Sequence, residues 1–227
     1  MAGGNKSGKR YWETKRNRQW YRLGGKIGSA YEKPSISNVA QAAWSGVKYL
    51  RTLVNSEVHK LDTNPTTLIS STGYVTHLSG IAQGDGVNQR TGLGILAKGL
   101  SARGVFWIHA SASTSQVRVI YFIDLQQIAD TTPGVTDVLT GSFWNAHYNT
   151  SNVGRFKILS DTCFGLSANG PQQKIFKHYF KLNRHIRYNG TAATDQQKGA
   201  VYILLISNEG TNLVGIDLHN RISWHDN

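Results

Sequence analysis

The sequence has a single cysteine among its 227 residues, and other marks of common protein classes are missing with it. Because Cys163 has no partner, an intramolecular disulfide and a cysteine-based zinc site are both excluded. Its apolar setting, between Thr162 and Phe164, predicts a buried and unreactive thiol. No apolar run approaches the ~20 residues that span a bilayer, and the first residues lack the hydrophobic stretch of a secretory signal. These absences argue against a disulfide-stapled or membrane-spanning protein.

The common signatures of catalysis are missing as well. The sequence contains no Gly-Lys-Ser/Thr phosphate loop, no His-Glu-x-x-His and no Gly-x-Ser-x-Gly. Acidic residues are few, and none form a close pair suited to general acid–base chemistry. Asp124, Asp130 and Asp137 could form the metal cluster of a nuclease, but a strand end and a turn-rich loop favour turn and capping roles. We therefore expect no catalytic residues and no enzyme.

Positive charge, by contrast, is abundant and unevenly distributed. The formal net charge is +12, and the first 28 residues contribute eight basic side chains against one acid, Glu13. Tyr11, Trp12, Trp20 and Tyr21 are interleaved with these charges, and aromatic rings can stack on unpaired bases. A basic arm on a nearly neutral body predicts nucleic-acid binding rather than a merely solubilising tail. The predicted binding residues of the arm are Lys6, Lys9, Arg10, Lys15, Arg16, Arg18, Arg22 and Lys26.

The chain divides into three predicted segments. Residues 1–33 form a disordered basic arm, residues 34–56 an amphipathic helix and residues 57–227 a β domain. Ser37 is the candidate N-cap of the helix, and Lys48 and Arg51 add to the predicted nucleic-acid contacts from its polar side. The apolar stripe packs either on the protein's own sheet or against neighbouring subunits. It consists of Val39, Ala43, Val47, Leu50 and Val54.

After residue 56 the pattern becomes that of an all-β protein. Eight extended segments alternate with Gly, Asn, Pro and Ser breaks, which predicts an eight-stranded jelly-roll sandwich. One connection, from Leu125 to Val153, is long enough to have its own role at an interface or exposed surface. The predicted strands are 57–62, 74–82, 95–109, 116–124, 155–166, 175–182, 200–207 and 213–224.

A second basic set lies within this β domain. Its members are predicted to occupy a strand and the turn that follows, where they either face nucleic acid or form a solvated surface. Three of them, Lys177, Lys181 and Arg184, are predicted to bind nucleic acid. The full set is Lys174, Lys177, Lys181, Arg184 and Arg187.

Residues 80–92 carry the pattern Gln-Gly-Asp…Asn-Gln-Arg-Thr-Gly. This segment resembles satellite tobacco necrosis virus-type coat proteins, which are jelly-roll subunits of small icosahedral shells. Other stretches resemble capsid proteins of circular, Rep-encoding single-stranded DNA viruses that share the fold. These stretches are 60–63, 123–139, 153–159, 179–182, 187–191 and 221–227.

The resemblance implies a viral coat protein that assembles into a T=1 shell of about sixty copies with its arms facing the genome. We expect single-stranded DNA as the packaged partner, the virion as its location and the host nucleus as the site of assembly. The alternatives are a satellite RNA virus coat protein and a cellular single-strand-binding β protein. A third is a carbohydrate-binding jelly roll with an incidental basic tail.

The same resemblance implies calcium between subunits, although no cofactor is required for the predicted function. The ligand positions of such shells correspond here to Asp85, Thr91, Gly94 and Asp226. Carbonyl and carboxylate oxygens are the ligands that calcium prefers. Acidic residues that the family pattern carries nearby are replaced here by Gly86 and Leu93, which lowers the negative charge of the expected sites.

Overall fold

A computed structural model describes residues 36–53, 57–126, 128 and 130–226. The predicted arm, with all eight of its basic binding residues, lies outside this part of the chain. The chain separates into two compact units, residues 1–55 and residues 56–227, and each is described by itself.

The first unit contains helix α1, Ile36–Leu53. Alanines at positions 40, 42 and 43 favour helix, and Gly46 is accommodated in its interior. The predicted helix is confirmed over Ile36–Leu53, and Ser37 lies inside it rather than at its N-cap. Val54 and the side chains of Lys48, Leu50 and Arg51 lie outside the described part of the chain. Apolar side chains of the helix, among them Val39 and Val47, are exposed.

The second unit is a sandwich of two antiparallel sheets. Its strands are β1 Val58–Thr63, β2 Tyr74–His77, β3 Gly94–Trp107, β4 Thr114–Asp124, β5 Phe156–Ser167, β6 Gln173–Tyr188, β7 Gln196–Lys198, β8 Ala200–Ser207 and β9 Gly215–Asp226. One sheet has the order β1-β9-β3-β6-β7 and the other β2-β8-β4-β5. Apart from the short β7, this is the strand order of a jelly roll, so the predicted fold is confirmed.

The strand boundaries differ from the prediction mainly around β6 and β7. Strand β6 runs on to Tyr188 instead of turning after Leu182, and its end pairs with the three-residue β7. In the described region the domain therefore has nine strands rather than eight. Three residues are too few to show a sequence period. Strand β7 is stabilised by pairing with a strand that only the fold brings near.

The long connection between β4 and β5 is largely a covering layer. It contains a helical turn, α2 Val135–Val138, and a 3₁₀ turn, Thr150–Asn152. Val138 and Leu139 pack with Ile120, Tyr202 and other side chains in a second buried cluster beside the main core. Every residue of β8 is consequently buried, since its sheet is covered on both faces.

The structure contradicts the prediction that Cys163 is buried. Cys163 is exposed, whereas Phe164 packs against the core. The reason is the two-residue period of a strand, which sends neighbouring side chains to opposite faces. Phe164 therefore lies on the core face of β5, whereas the Cys163 thiol lies on the opposite face.

Candidate nucleic-acid interface

The basic residues predicted on β6 do not all lie on one face. Lys177 and Lys181 are exposed on the outer face of the five-stranded sheet, together with Tyr179. Arg184 pairs in register with the buried Ala97, and it lies on the face of β6 that carries the buried Ile186. Two of the three predicted residues are thus brought together, and the third is separated from them. Lys174 and Arg187 are exposed near the two ends of the strand.

Strand β3 contributes a basic residue that was not predicted from the sequence. Arg103 is exposed and lies directly opposite Lys177 in the register of β3 and β6. Cβ atoms of directly opposed residues in antiparallel strands are about 5 Å apart. Because Arg103 and Lys177 are far apart in the sequence, only the register of the two strands places these charges side by side.

The acidic residues of this face are already engaged. Asp62 of β1 accepts two hydrogen bonds from Arg221 of β9, both 2.6 Å long, and Asp217 lies 3.1 Å from His219. The hydrogen bond from Arg221 lowers the pKa of Asp62. Among the described residues, Arg103, Lys177 and Lys181 have no acidic partner within salt-bridge distance. We call these three residues and Tyr179 the β3–β6 face.

Three of the four expected calcium ligands lie close together. The Thr91 amide donates a 2.5 Å hydrogen bond to the Asp226 carboxylate, and Gly94 precedes Ile95, which pairs with Asp226. Asp85 instead lines an open groove beside Glu57 and His59. The chain therefore offers one carboxylate and nearby carbonyl groups at this end of the sheet. In the described part of the chain, no three His, Cys, Asp or Glu residues group as a metal site.

The three aspartates considered for a nuclease site have structural roles. Asp124 forms a salt bridge with Arg155, Asp130 accepts hydrogen bonds from Asn189, and Asp137 accepts one from the Gly134 amide. Of these three roles, only that of Asp137 is the predicted helix capping. Asp124 also has the predicted turn role, since it accepts a hydrogen bond from the Gln126 amide.

No described helix is both long and apolar enough to cross a membrane.

Comparisons with known proteins agree with this architecture. The sequence profile of the satellite tobacco necrosis virus coat protein family matches residues 38–226. The coat protein of Maize white line mosaic Satellite virus is 31% identical over 152 residues, which cover 64% of this chain and 69% of that protein. The capsid protein of Satellite tobacco necrosis virus 1 is 34% identical over 155 residues, covering 65% and 74% respectively.

Solved structures add only a distant likeness. A chain of Desmodium yellow mottle tymovirus aligns with 75% of this chain and 88% of its own length, at 12% identity and a TM-score of 0.37. This score is too low to support a conclusion about function.

Proposed function

Because this chain belongs to the satellite tobacco necrosis virus coat protein family, we propose that it assembles into a closed icosahedral T=1 shell that packages single-stranded RNA. The family match carries the proposal, since residues 38–226 span nearly all of α1 and the whole jelly roll. Its relatives are structural coat proteins, so the chain is a viral coat protein of the virion and not an enzyme.

RNA replaces the DNA that we expected from the sequence. The comparisons give no support to the resemblance to circular, Rep-encoding single-stranded DNA viruses. Both curated relatives are named for satellite viruses, and the satellite RNA virus alternative fits them better. The expected nuclear step of assembly has no support from the relatives either.

The exposed apolar side chains support a shell-forming role. Val87 and Val153 are each 81% exposed, and Phe143 is 66% exposed, all of them in connections outside the strands. Contact with another protein surface would remove these apolar side chains from water. We propose that these connections take part in the contacts between subunits.

The charged arm supports the packaging role. Residues 1–33 bind phosphates by releasing counterions, without reading sequence, and α1 anchors the arm on the inside of the shell. With +7 in its first 28 residues, the arms of a shell of about sixty copies carry roughly 420 positive charges. That charge neutralises only part of a genome of about one to a few thousand nucleotides, which leaves phosphates for other cations or other surfaces of the subunit.

Electron microscopy of the purified recombinant protein tests this proposal. We expect uniform spherical particles whose 260/280 nm absorbance ratio and nuclease-protected content show packaged RNA. A matched variant keeps the length of the arm but replaces its eight Lys and Arg residues with Gln. Because the phosphate contacts are lost, this variant should retain less than about one tenth of the RNA while its circular dichroism spectrum is unchanged.

Two outcomes would contradict the proposal. A protein that stays monomeric at every salt and calcium concentration favours the cellular single-strand-binding alternative, or the carbohydrate-binding one if the protein also binds no RNA. If particles of the Gln variant contained undiminished RNA, residues outside the arm would be responsible for packaging.

Calcium binding is a second proposal, at the end of β9. We propose that the Asp226 carboxylate and carbonyl groups of Thr91 and Gly94 contribute to a site completed by a neighbouring subunit. Millimolar Ca²⁺ should then raise the melting temperature of the particles by a few degrees, and equimolar Mg²⁺ should not.

The variant Asp226→Asn tests this site because an amide oxygen still accepts the Thr91 hydrogen bond but carries no charge. We expect it to abolish the Ca²⁺ effect, whereas Asp217→Asn, on the outer sheet face, should preserve it. An equal Ca²⁺ shift in both variants would show that Asp226 is not a ligand.

A further inference from the structure

Tyr179 is an unusually exposed aromatic residue in the middle of a strand. The residue is 70% exposed, and its ring reaches diagonally from β6 across β3 to cover Gly99. A Cβ atom at position 99 would lie 2.6 Å from the Tyr179 hydroxyl oxygen and 3.0 Å from two ring carbons. The glycine thus leaves room for the ring to lie against the sheet, where it forms an aromatic platform open to solvent.

Positive charge surrounds this platform. Lys177 and Lys181 lie two residues to either side of Tyr179 on β6, within about 7 Å along the strand. Arg103 lies directly opposite Lys177 on β3. Like charges at directly opposed positions destabilise a sheet, and no acid of the described chain lies within salt-bridge distance of this pair. An anion bound between Arg103 and Lys177 would remove that repulsion.

We propose that the β3–β6 face binds single-stranded RNA, with one base stacked on Tyr179 and the flanking phosphates bound by Arg103, Lys177 and Lys181. This inference rests on the proposed packaging function and adds a second, stacking contact to the charge-based binding of the arm. A ring flanked by cations on an exposed sheet suits unpaired nucleotides, because every base has a face that can stack. The contact therefore tolerates any sequence, as packaging of a whole genome requires.

Charge complementarity favours RNA over a second protein subunit as the occupant. The uncompensated charged side chains of this face are all cationic, and the acids of the face, Asp62 and Asp217, lie beside Arg221 and His219. A second copy docked through the same face would bring like charges together across the contact, which costs free energy.

Ultraviolet crosslinking of intact particles, followed by mass spectrometry, tests the stacking contact. Trypsin cleaves after Lys177 and Lys181, so Tyr179 is released in the peptide His178–Lys181, and we expect a nucleotide adduct on this peptide. The matched variants are Tyr179→Phe, which keeps an aromatic ring, and Tyr179→Leu, which keeps apolar bulk without one. The adduct should persist in the Phe variant and fall at least about fivefold in the Leu variant.

Gly99→Ala provides an independent variant that displaces the ring without removing it. The new methyl group occupies the space under the Tyr179 ring, so the adduct should also fall, while the particles still assemble.

Binding of full-length protein to a labelled oligouridylate and to heparin completes the test. Tyr179→Leu should weaken binding of the oligouridylate alone, whereas Lys177→Gln should weaken binding of both polyanions.

Failure of the stacking contact is distinguishable from failure of packaging. Particles that contain RNA but give no adduct on this peptide would overturn the stacking contact and leave packaging intact. Equal adducts in the Leu and Phe variants, or crosslinks between subunits through this peptide, would overturn the stacking contact as well. Wild-type protein that forms no RNA-containing particles would refute the packaging function itself.

Discussion

Replacing Arg90 with methionine should destabilise the subunit by about 3–5 kcal/mol, one of the two largest effects that we expect in this chain. Arg90 is fully buried and lies in the loop that precedes β3. Its guanidinium donates hydrogen bonds to the carbonyl oxygens of Ile81 at 2.9 Å, Gly92 at 2.6 Å and Gly190 at 2.5 Å. Methionine fills much of the volume but leaves the buried Ile81 carbonyl and two partly buried carbonyls without this donor.

The planar shape of the guanidinium is as important as its charge. Its central carbon lies 4.0 Å from the centre of the Tyr188 ring, so the group is held between an aromatic face and three carbonyls. Burial lowers the pKa of Arg90, and nearby groups that include Tyr188 and Asp195 oppose that change. Arg90→Lys should recover less than half of the lost stability, because one ammonium group cannot reproduce the fork of donors.

Urea unfolding of dissociated subunits, followed by tryptophan fluorescence, measures this effect. Arg103→Met is the matched control, since Arg103 is exposed and should change the free energy of unfolding by less than about 0.5 kcal/mol. If Arg90→Met were as mild as the control, the carbonyls would have other donors, and the loops would not depend on this side chain.

Arg155→Met is the second variant with a large expected effect, again about 3–5 kcal/mol. Asp124, at the end of β4, is fully buried and accepts hydrogen bonds from Arg155, the shortest of them 2.9 Å long. Removing the arginine leaves a carboxylate in the interior without its counter-charge. The double variant Asp124→Asn with Arg155→Met should recover most of the loss, because the buried charge is then gone while the turn amide of Gln126 keeps an acceptor.

The exposed ion pair of Arg221 with Asp62 supplies the control. Both side chains are about half exposed, and their hydrogen bonds, at 2.6 Å, are shorter than those of the buried pair. Arg221→Met should nevertheless lower the free energy of unfolding far less than Arg155→Met in the same urea experiment, because solvent screens the pair. Equal losses for Arg155→Met and Arg221→Met would show that burial does not decide the contribution of either pair.

The helix and the main strands could be predicted from local periodicity. Apolar residues recur every three or four positions through α1, and the long run of apolar residues in β4 indicates a strand covered on both faces. Such patterns depend only on which face of an element is buried. They do not reveal β7, whose three residues are stabilised by pairing with the end of β6.

The candidate interface shows the same limit. Lys177 and Lys181 were predicted because they lie close together in the sequence, and the alternation of β6 brings both to the outer face. Arg184 was grouped with them on the same ground and lies on the other face of the strand. Arg103 was missed because its neighbour, Lys177, is 74 positions away and becomes adjacent only through strand register.

The sequence by itself determined the basic arm, the helix, the β architecture and the absence of catalytic motifs, since each is a property of composition or local spacing, and the family resemblance added the class of coat protein. Only the tertiary structure decided which charges share a face, that the connection from 125 to 153 covers a sheet and that Tyr179 lies over Gly99. These outcomes depend on strand register and on packing between residues far apart in the chain. In a jelly roll, neighbouring strands are mostly distant in sequence, so local patterns contain little information about what they bring together.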